Sequence, residues 1–232
     1  MNSPKNKIAP KISKRLLCAA SFAKGGEFIA DVGTDHAYLP IYLYTSGIIS
    51  GAIVSDINEG PIERATQNIR EFSCEGKIIP VLCDGLSKIG EYSPDTVFIL
   101  GMGGELIVNI ISNAEWLKEK GIRLVMQPMT HPEILREYLI SNGFEISDEA
   151  MVEDSKIYQI TVARYTGKTE KANALELRFG KINLAKREDI LIDSLKREGK
   201  ILSARLAGKQ IAGIEGGADA ELLAMIEEYL NK

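Results

Sequence analysis

Short apolar runs alternate with amphipathic segments through the first 165 residues of the chain. The apolar runs are EFIADVG, GAIVSDI, IIPVLCDG, DTVFILGMGG and IRLVMQP, and helix-like segments such as PIERATQNIREFS and HPEILREYLISNG separate them. Strands that alternate with helices at this spacing form repeated βαβ units. The pattern therefore predicts an α/β fold of the Rossmann-like kind, with a mainly parallel sheet covered by helices on both faces.

Three further segments complete this expected core. Residues 11–24 repeat apolar side chains at helical spacing and stop at a pair of glycines, which predicts an N-terminal helix. The stretch ELIVNIISNAEWLKEKG is predicted as one helix. The stretch FEISDEAMVEDSKIYQITVARY divides at a polar turn over residues 153–155, which predicts an antiparallel hairpin that closes the sheet.

The βαβ rhythm stops near Thr166, and the remaining sequence has helical periodicity. The spacing predicts one long helix from Lys186 to Leu206 and a second from Ala220 to Leu230, joined by a flexible glycine-rich stretch. Two helices joined by a short loop form a helical hairpin. We therefore predict a Rossmann-like domain over residues 1–165 and a helical C-terminal domain over residues 166–232.

The formal net charge of −4 conceals an uneven distribution. Residues 1–26 carry six basic and no acidic residues, and residues 168–209 carry eleven basic and six acidic ones, whereas residues 27–164 have a net charge of −11. Basic flanks of this kind suit a phosphate backbone even in an acidic protein, and we expect Lys186-Arg187 and Lys196-Arg197 at exposed helix positions. Solvated helix faces would give the same pattern, so charge alone leaves both interpretations open.

Composition also limits the class of protein. No apolar run approaches the roughly 20 residues that cross a bilayer, and the beginning of the chain lacks the apolar stretch of a secretion signal. The three cysteines are scattered and there are only two histidines, which argues against a disulfide framework and against a metal site. We expect a cytoplasmic protein with no membrane partner and no metal.

The most distinctive local signal is the run DVGTDHAYLP at the end of the first predicted strand. Gly33 lets the backbone turn tightly beside a ligand, and Asp31 can accept hydrogen bonds at the carboxyl edge of the sheet. A dinucleotide site needs further glycines so that a pyrophosphate can approach, but this chain has Asp35 and Tyr38 at those positions. S-adenosylmethionine has an ammonium group and no phosphate, so we predict that it is bound here by Asp31, Gly33 and Thr34.

The next two predicted strands also end in acidic residues or glycine. Asp56 follows Gly33 by 23 positions and falls where adenosine cofactors place their ribose hydroxyls, and Asp84-Gly85 follows the third strand. Taken singly, Asp56 is commonly a helix cap and Asp84-Gly85 a simple turn. Their succession at three strand ends predicts one cofactor cleft at one edge of the sheet, with contacts at Asp56, Ile57, Asp84 and Gly85.

The fourth and fifth strands end where the acceptor of the reaction should lie. Backbone with little side chain at Gly101-Met102-Gly103 lets a flat base approach, and Gln127 offers an amide to a base edge. Tyr38 offers a stacking face. A tight turn or an ordinary cleft wall would account for each residue without a ligand. We predict Asp35, His36 and Gln127 as catalytic residues, and Gly101, Met102 and Gly103 as cofactor-pocket positions.

The motifs DVGTDHAYLP, CDGL, GMGG and QP, followed by a helical C-terminal part, resemble the bacterial tRNA (adenine-N1)-methyltransferases that modify adenine 22 in the D-arm region. The resemblance covers nearly the whole chain. It implies a Rossmann-like methyltransferase domain, a coiled-coil-like helical C-terminal domain, S-adenosylmethionine as methyl donor and tRNA as partner. The chain departs from the family pattern at Cys83 in place of glycine, Met129 in place of asparagine and Lys181 in place of proline.

The resemblance also implies a mechanism that depends on positioning. Adenine N1 already carries a lone pair, so its methylation requires alignment and exclusion of water rather than a strong base. Because the product is cationic, Asp35 could stabilise the developing charge while His36 and Gln127 orient the base. The alternatives are a methyltransferase of a small molecule, a non-catalytic RNA-binding protein with the same fold, and an NAD-dependent dehydrogenase, which the glycine pattern disfavours.

Overall fold

The computed structural model describes residues 9–212 and 214–232, and seven strands of this part form one sheet. Their order across the sheet is β3-β2-β1-β4-β5-β7-β6. The first five strands are parallel, and β7 is antiparallel to both of its neighbours. The strands are β1 (Phe28–Val32), β2 (Gly51–Asp56), β3 (Ile78–Leu82), β4 (Thr96–Met102), β5 (Arg123–Pro128), β6 (Phe144–Asp154) and β7 (Lys156–Tyr165).

Helices cover both faces of the sheet and continue beyond it. None of those in the described part of the chain is long and apolar enough to span a membrane. A short 3-10 helix occupies Ile89–Tyr92. The α-helices are α1 (Lys14–Ala20), α2 (Tyr38–Thr45), α3 (Glu59–Glu71), α4 (Gly104–Ser112), α5 (Trp116–Lys120), α6 (Pro132–Ser141), α7 (Ala174–Phe179), α8 (Lys181–Lys186), α9 (Asp189–Ile211) and α10 (Gly217–Leu230).

Two apolar layers hold the sheet between its helices. Alternate strand residues point to opposite faces, so Ile29 packs with α1, α2 and α3 while Ala30 packs with α4, α5 and α6. The β6-β7 hairpin turns at Ser155, whose φ of +65° is compatible with a tight turn. The predicted α/β sheet and the predicted hairpin at its edge are both confirmed.

Two helices differ from the sequence prediction. The N-terminal helix is shorter than expected and covers Lys14–Ala20. The helix predicted for residues 105–121 is two helices, α4 and α5, with a break after Ser112. Asn113 caps α4, and its side-chain amide donates to the Asn109 carbonyl at 2.8 Å. Such side-chain bonds to nearby backbone compete with helix continuation.

Among its described residues, the C-terminal part contains four helices where the periodicity predicted two. The predicted helical hairpin is present as α9 and α10, which pack against each other, and α7 and α8 precede it. The stretch expected to be flexible is shorter, because α9 passes through Gly208 to Ile211. Asp219 of α10 bonds Arg205 at 3.1 Å and Lys209 at 2.6 Å, which holds the end of α9 against α10.

A third apolar cluster joins the C-terminal helices to the sheet. Met151 of β6 is buried in it, and Ile157 of β7 packs against it. The helices contribute the remaining buried side chains, Leu175, Phe179, Leu191, Leu195, Leu202 and Ile226. The C-terminal helices therefore share a core with the outer hairpin of the sheet, and the division of the chain after residue 165 stays a prediction.

Candidate active site

The turn after β1 brings three strand ends together. The N–H groups of Gly33 and Thr34 donate to the Ser55 carbonyl at 2.7 and 3.0 Å, which ties the turn to the end of β2. Gly33 has a φ of +75°, which L side chains rarely adopt, and a Cβ at this position would displace the terminal methyl group of Met102 at the end of β4. The positive φ is the stronger reason for glycine at this position. We call the space at the ends of β1, β2, β4 and β5 the cleft.

Asp31 places a buried carboxylate in the cleft, with a relative exposure of 7%. Burial raises its pKa to about 6, against the opposing effects of a hydrogen bond with Thr34 and the positive charge of Arg15. The Thr34 hydroxyl is itself held, because it accepts the Ala37 N–H at 3.0 Å. A desolvated carboxylate gains from a cationic ligand, whose charge favours the ionised form.

Arg15 reaches the same place from α1. Its Nη1 donates to Gln127 Oε1 at 2.6 Å, and its guanidinium lies 5.5 Å from the Tyr158 ring centroid. A Cβ at Gly101 would be only 3.5 Å from Nη1. Charge counting assigned Arg15 to a basic flank, whereas the structure places it over the strand ends. The signal that identifies it is its position on the apolar face of the N-terminal helix.

Asp56 ends β2, and Ile57 follows it. Asp56 Oδ1 accepts from the Asn58 backbone N–H at 2.8 Å and from Asn58 Nδ2 at 3.2 Å. Asn58, not Asp56, is the N-cap residue of α3. Across residues 9–212 and 214–232 nothing bonds Asp56 Oδ2, so this oxygen can accept from a ligand. Ile57 is 61% exposed and offers an apolar surface beside it.

The turn after β3 lies next to Asp56. The Cys83 N–H donates to the Asp56 carbonyl at 3.1 Å, and the Ser87 N–H donates to the Asp84 carbonyl at 3.0 Å. The Asp-Gly turn is therefore present, and it leaves the Asp84 side chain exposed. Gly85 has a φ of +50° and packs closely on Ile110. Cys83 is buried in the layer below the turn.

The end of β4 contacts the segment that joins β5 to α6, from the last residue of β5 to the first of α6 (residues 128–132), which we call the acceptor loop. The pairing of β4 with β5 shifts register between Leu100 and Met102, where Gly101 has a φ of +80°. The Met129 N–H then donates to the Met102 carbonyl at 2.7 Å. Gly103 caps α4, and a Cβ there would lie 3.2 Å from Thr130 Oγ1. Gly101, Met102 and Gly103 therefore line one side of the cleft closely.

Gln127 is fully buried, and both ends of its amide have protein partners. Oε1 accepts from Arg15, and Nε2 donates to the Pro128 carbonyl at 2.7 Å. Met129 Sδ lies 3.7 Å from the same Nε2. The structure thus uses the Gln127 amide to hold Arg15 and the acceptor loop, and does not offer it to a base edge.

Asp35, His36 and Tyr38 form a cluster at the mouth of the cleft. Asp35 Oδ1 accepts from Arg64 Nε at 2.8 Å and also from Nη2, and Oδ2 lies 3.1 Å from His36 Nε2. The His36 and Tyr38 rings stack with centroids 5.1 Å apart. Asn68 donates to the His36 carbonyl at 2.9 Å. No sequence signal singled out Arg64, because its partner lies 29 residues away.

Comparison with known proteins identifies the family. A sequence model of a methyltransferase domain matches residues 12–161. The tRNA (adenine(22)-N(1))-methyltransferase of Bacillus subtilis (strain 168) is 33% identical over 171 residues, which are 73% of this chain and 72% of the relative. The chain belongs to this methyltransferase family. The resemblance based on the sequence motifs is therefore confirmed.

Two solved structures extend the similarity of this methyltransferase to its C-terminal helices. A Streptococcus pneumoniae protein in complex with S-adenosyl-L-methionine has a TM-score of 0.84 and 32% identity, covering 95% of this chain and 100% of that chain. M. capricolum TrmK in complex with S-adenosyl-homocysteine has a TM-score of 0.77 and 27% identity, covering 95% and 96%. The Rossmann-like fold and the helical C-terminal part of the methyltransferase therefore belong to one shared architecture.

Proposed function

We propose that this methyltransferase transfers a methyl group from S-adenosylmethionine to N1 of an adenine in tRNA, with adenine 22 in the D-arm region as the target. The observation that carries the proposal is the paired charge in the cleft, where the buried Asp31 carboxylate lies near the Arg15 guanidinium. The amino-acid end of the cofactor carries one ammonium and one carboxylate, which complement this pair. The name of the Bacillus subtilis relative supports the choice of adenine and position.

The residues of the cleft fit the whole cofactor. Asp31 accepts from the ammonium group, Arg15 donates to the carboxylate, and the open Oδ2 of Asp56 accepts from a ribose hydroxyl. Ile57 covers one face of the cofactor's adenine. The exposed carboxylate of Asp84, in the turn that is hydrogen-bonded to Asp56, accepts from the adenine amino group. When bound, the cofactor supplies an electrophilic methyl group. The remaining predicted pocket positions, Thr34, Gly33, Gly85, Gly101, Met102 and Gly103, shape the backbone around it.

The residues at the mouth of the cleft act by aligning the target base. The stacked His36 and Tyr38 rings form a platform on which a nucleobase can stack, an interaction worth about 1–3 kcal/mol per base. Asp35 holds the His36 ring, and Arg64 balances the charge of Asp35. We therefore assign Asp35 and His36 to the positioning of the base, and Gln127 to the positioning of Arg15.

The tRNA is proposed to bind the exposed face of α9. Lys196, Arg197 and Lys200 are exposed there. Lys186 and Arg187 are exposed as expected, at the end of α8, but both side chains have partners within the protein. Lys186 bonds the Asp148 carboxylate at 2.9 Å, and Arg187 lies 4.7 Å from the Tyr229 ring centroid. Among the N-terminal basic residues, those before residue 9 lie outside the described part of the chain. Since tRNA is a cytoplasmic molecule, we propose that the protein acts in the cytoplasm.

The test is methylation of a defined RNA. Unmodified tRNA with adenine at position 22 is incubated with the protein and S-adenosylmethionine, and the product is analysed by mass spectrometry and by primer extension. We expect one N1-methyladenine at position 22, no product on the same tRNA with guanine at that position, and little product with Asp31→Asn. Methylation at another base would show that adenine 22 is not the target. Cofactor binding without any RNA product would favour a small-molecule acceptor.

A further inference from the structure

Arg136 of α6 and Glu149 of β6 form an ion pair that is almost completely removed from solvent. Arg136 Nε lies 2.7 Å from Glu149 Oε1, and the two side chains are 2% and 1% exposed. In the described part of the chain the next most buried ion pair, Arg123–Glu27, is 16% and 15% exposed. The pair lies where the sheet meets the C-terminal helices, and the proposed methyl transfer does not use it.

Two further polar atoms of this pair, Arg136 Nη1 and Glu149 Oε2, bind the backbone of α7 and α8. Arg136 Nη1 donates to the Leu177 and Arg178 carbonyls at 3.0 and 3.2 Å. These carbonyls belong to the last turn of α7, where a helix leaves its acceptors without internal partners. Glu149 Oε2 accepts the Ile182 N–H at 2.9 Å, at the start of α8. One ion pair therefore binds the end of one helix and the beginning of the next.

Two more residues complete this arrangement. Gln159 of β7 accepts from Arg136 Nη2 at 2.7 Å and donates to the Arg178 carbonyl at 3.2 Å. Gly180, between α7 and α8, has a φ of +90°, and a Cβ there would collide with the Glu149 carboxylate. The corner between the two helices thus closes directly on the ion pair. We call Arg136, Glu149, Gln159 and Gly180 the junction.

Helix α6 connects the junction to the acceptor loop. It begins at Pro132, at the end of that loop, and Glu133 in its first turn bonds Arg178 at 2.8 Å. Arg178 also pairs with Glu198 of α9 at 3.1 Å. Glu133 and Arg136 are three positions apart and lie on one face of α6. The same face of this helix therefore holds α7 and, through Arg178, α9.

We infer that the junction fixes the angle between the catalytic cleft and α9, so that Arg136 and Glu149 are positioning residues for tRNA. This inference rests on the proposed function. Buried ion pairs add little net stability over well-packed apolar residues, but they restrict the geometries that satisfy every partner. An RNA held on α9 delivers its target base to the acceptor loop only at the angle that the junction sets. A displacement of about 1 Å at the reacting atoms can cost about a hundredfold in rate.

Two substitutions test the junction with little change in size. Glu149→Gln replaces one carboxylate oxygen by an amide donor, which must face either Arg136 or the Ile182 N–H. Arg136→Lys keeps the charge, but one ammonium group cannot reach acceptors on β6, β7 and α7 together. The matched control is Glu27→Gln, which weakens the Arg123–Glu27 pair, the next most buried one. That pair lies where β1 and β5 begin, at the opposite edge of the sheet from the cleft.

The measurements are kcat on tRNA per cofactor-binding molecule, the Kd of tRNA, the Kd of S-adenosylmethionine, and amide hydrogen exchange in α7 and α8. For both junction variants we expect kcat to fall about tenfold or more, with both Kd values unchanged and faster exchange in α7 and α8. The control variant should match the parent protein. An unchanged kcat with a lower melting temperature would overturn the inference, because the pair would then only stabilise the fold.

A third variant keeps the test decisive if the charged variants fold poorly. Gly180→Ala pushes the helix corner away from Glu149 with all charges intact, and should lower kcat in the same way. Its control is Gly167→Ala, which also has a positive φ but whose Cβ would meet its nearest atom at 3.8 Å. If the parent protein binds cofactor and methylates no tRNA, the proposed function fails. Equal exchange in α7 and α8 between parent and variants separately overturns the role of the junction.

Discussion

The cleft and the junction are both polar, but they are built in opposite ways. In the cleft, groups remain available: Asp31 is buried with a raised pKa, and Asp56 Oδ2 has no partner in the described chain. In the junction, the charged atoms of Arg136 and Glu149 bind other parts of the protein. A buried polar group without enough partners favours a ligand, whereas a fully bonded network favours one conformation. The cleft is therefore suited to binding a ligand, and the junction to fixing the orientation of the C-terminal helices.

The largest effect should come from removing the C-terminal helices that the junction holds. A chain that ends after Gly167 retains the whole sheet, because β7 ends at Tyr165. We expect it to bind S-adenosylmethionine but to lose tRNA methylation almost completely, since α9 is absent. Its free energy of unfolding should also fall, because Met151 and the Arg136–Glu149 pair lose their cover. Calorimetry with the cofactor and a methylation assay measure both results, and full methylation by the shortened chain would show that the helices are structural only.

The second effect concerns the turn of the cleft. Gly33→Val places a branched side chain against Met102 and forces an unfavourable φ, so cofactor affinity should fall about a hundredfold or more, equivalent to about 2.7 kcal/mol. The control is Gly47→Val, where φ is +70° and an added Cβ meets nothing within 4 Å. It should lower stability without changing affinity. Equal losses of affinity in both variants would show that backbone strain, and not the pocket, is responsible.

The parts of the molecule that these two predictions test could be predicted from the sequence only in part. The sheet, the hairpin and the glycine turns follow from periodicity and from backbone geometry, which residue types reveal locally. Arg15, Arg64 and Arg136 were missed as site or junction residues because their partners lie between 13 and 112 residues away. Gln127 was identified, but its amide bonds within the protein could not be inferred. Side-chain pairing depends on packing that only the folded chain defines.

The third prediction uses the pKa of Asp31. Burial raises this pKa to about 6 from the usual 3.8, so the folded protein favours the protonated acid, and this group's contribution to stability is lost as pH rises from about 4 to about 6. A cationic ligand needs the ionised form. The affinity for S-adenosylmethionine should therefore fall about tenfold for each pH unit below about 6. Calorimetry from pH 5 to 8 measures this, and Asp31→Asn should bind weakly with no such dependence; a flat profile for the parent protein would contradict the assignment.

A smaller effect is expected at the mouth of the cleft. Asp35→Asn keeps the shape of the side chain but loses the charge that holds Arg64 and His36. The aromatic platform should loosen, so kcat on tRNA should fall about tenfold, a loss of about 1.4 kcal/mol, while cofactor affinity stays unchanged. Arg64→Leu should reproduce part of the loss. Unchanged turnover in both variants would remove the platform from the mechanism.

The smallest effect tests the RNA-binding face of α9 without disturbing the junction. Lys196 and Lys200 are four positions apart, exposed, and without an ion-pair partner among the described residues. The double reversal Lys196→Glu with Lys200→Glu should weaken tRNA binding several-fold. It should also reduce the slope of log Kd against log salt by about 0.7 to 0.9 for each phosphate that is no longer neutralised. Because bound RNA is still held at the correct angle, kcat at saturating tRNA should remain close to that of the parent protein.

The control for this reversal is Lys168→Glu with Lys171→Glu, an equal change of charge at exposed positions that precede α7. If only the overall charge mattered, both double variants would weaken binding equally, and the RNA would not be located on α9. We expect a reduced slope in the α9 variant alone, with kcat preserved. Glu149→Gln should give the converse result, in which kcat falls and the affinity for tRNA is preserved. The two variants together would then separate the surface that binds the RNA from the junction that orients it.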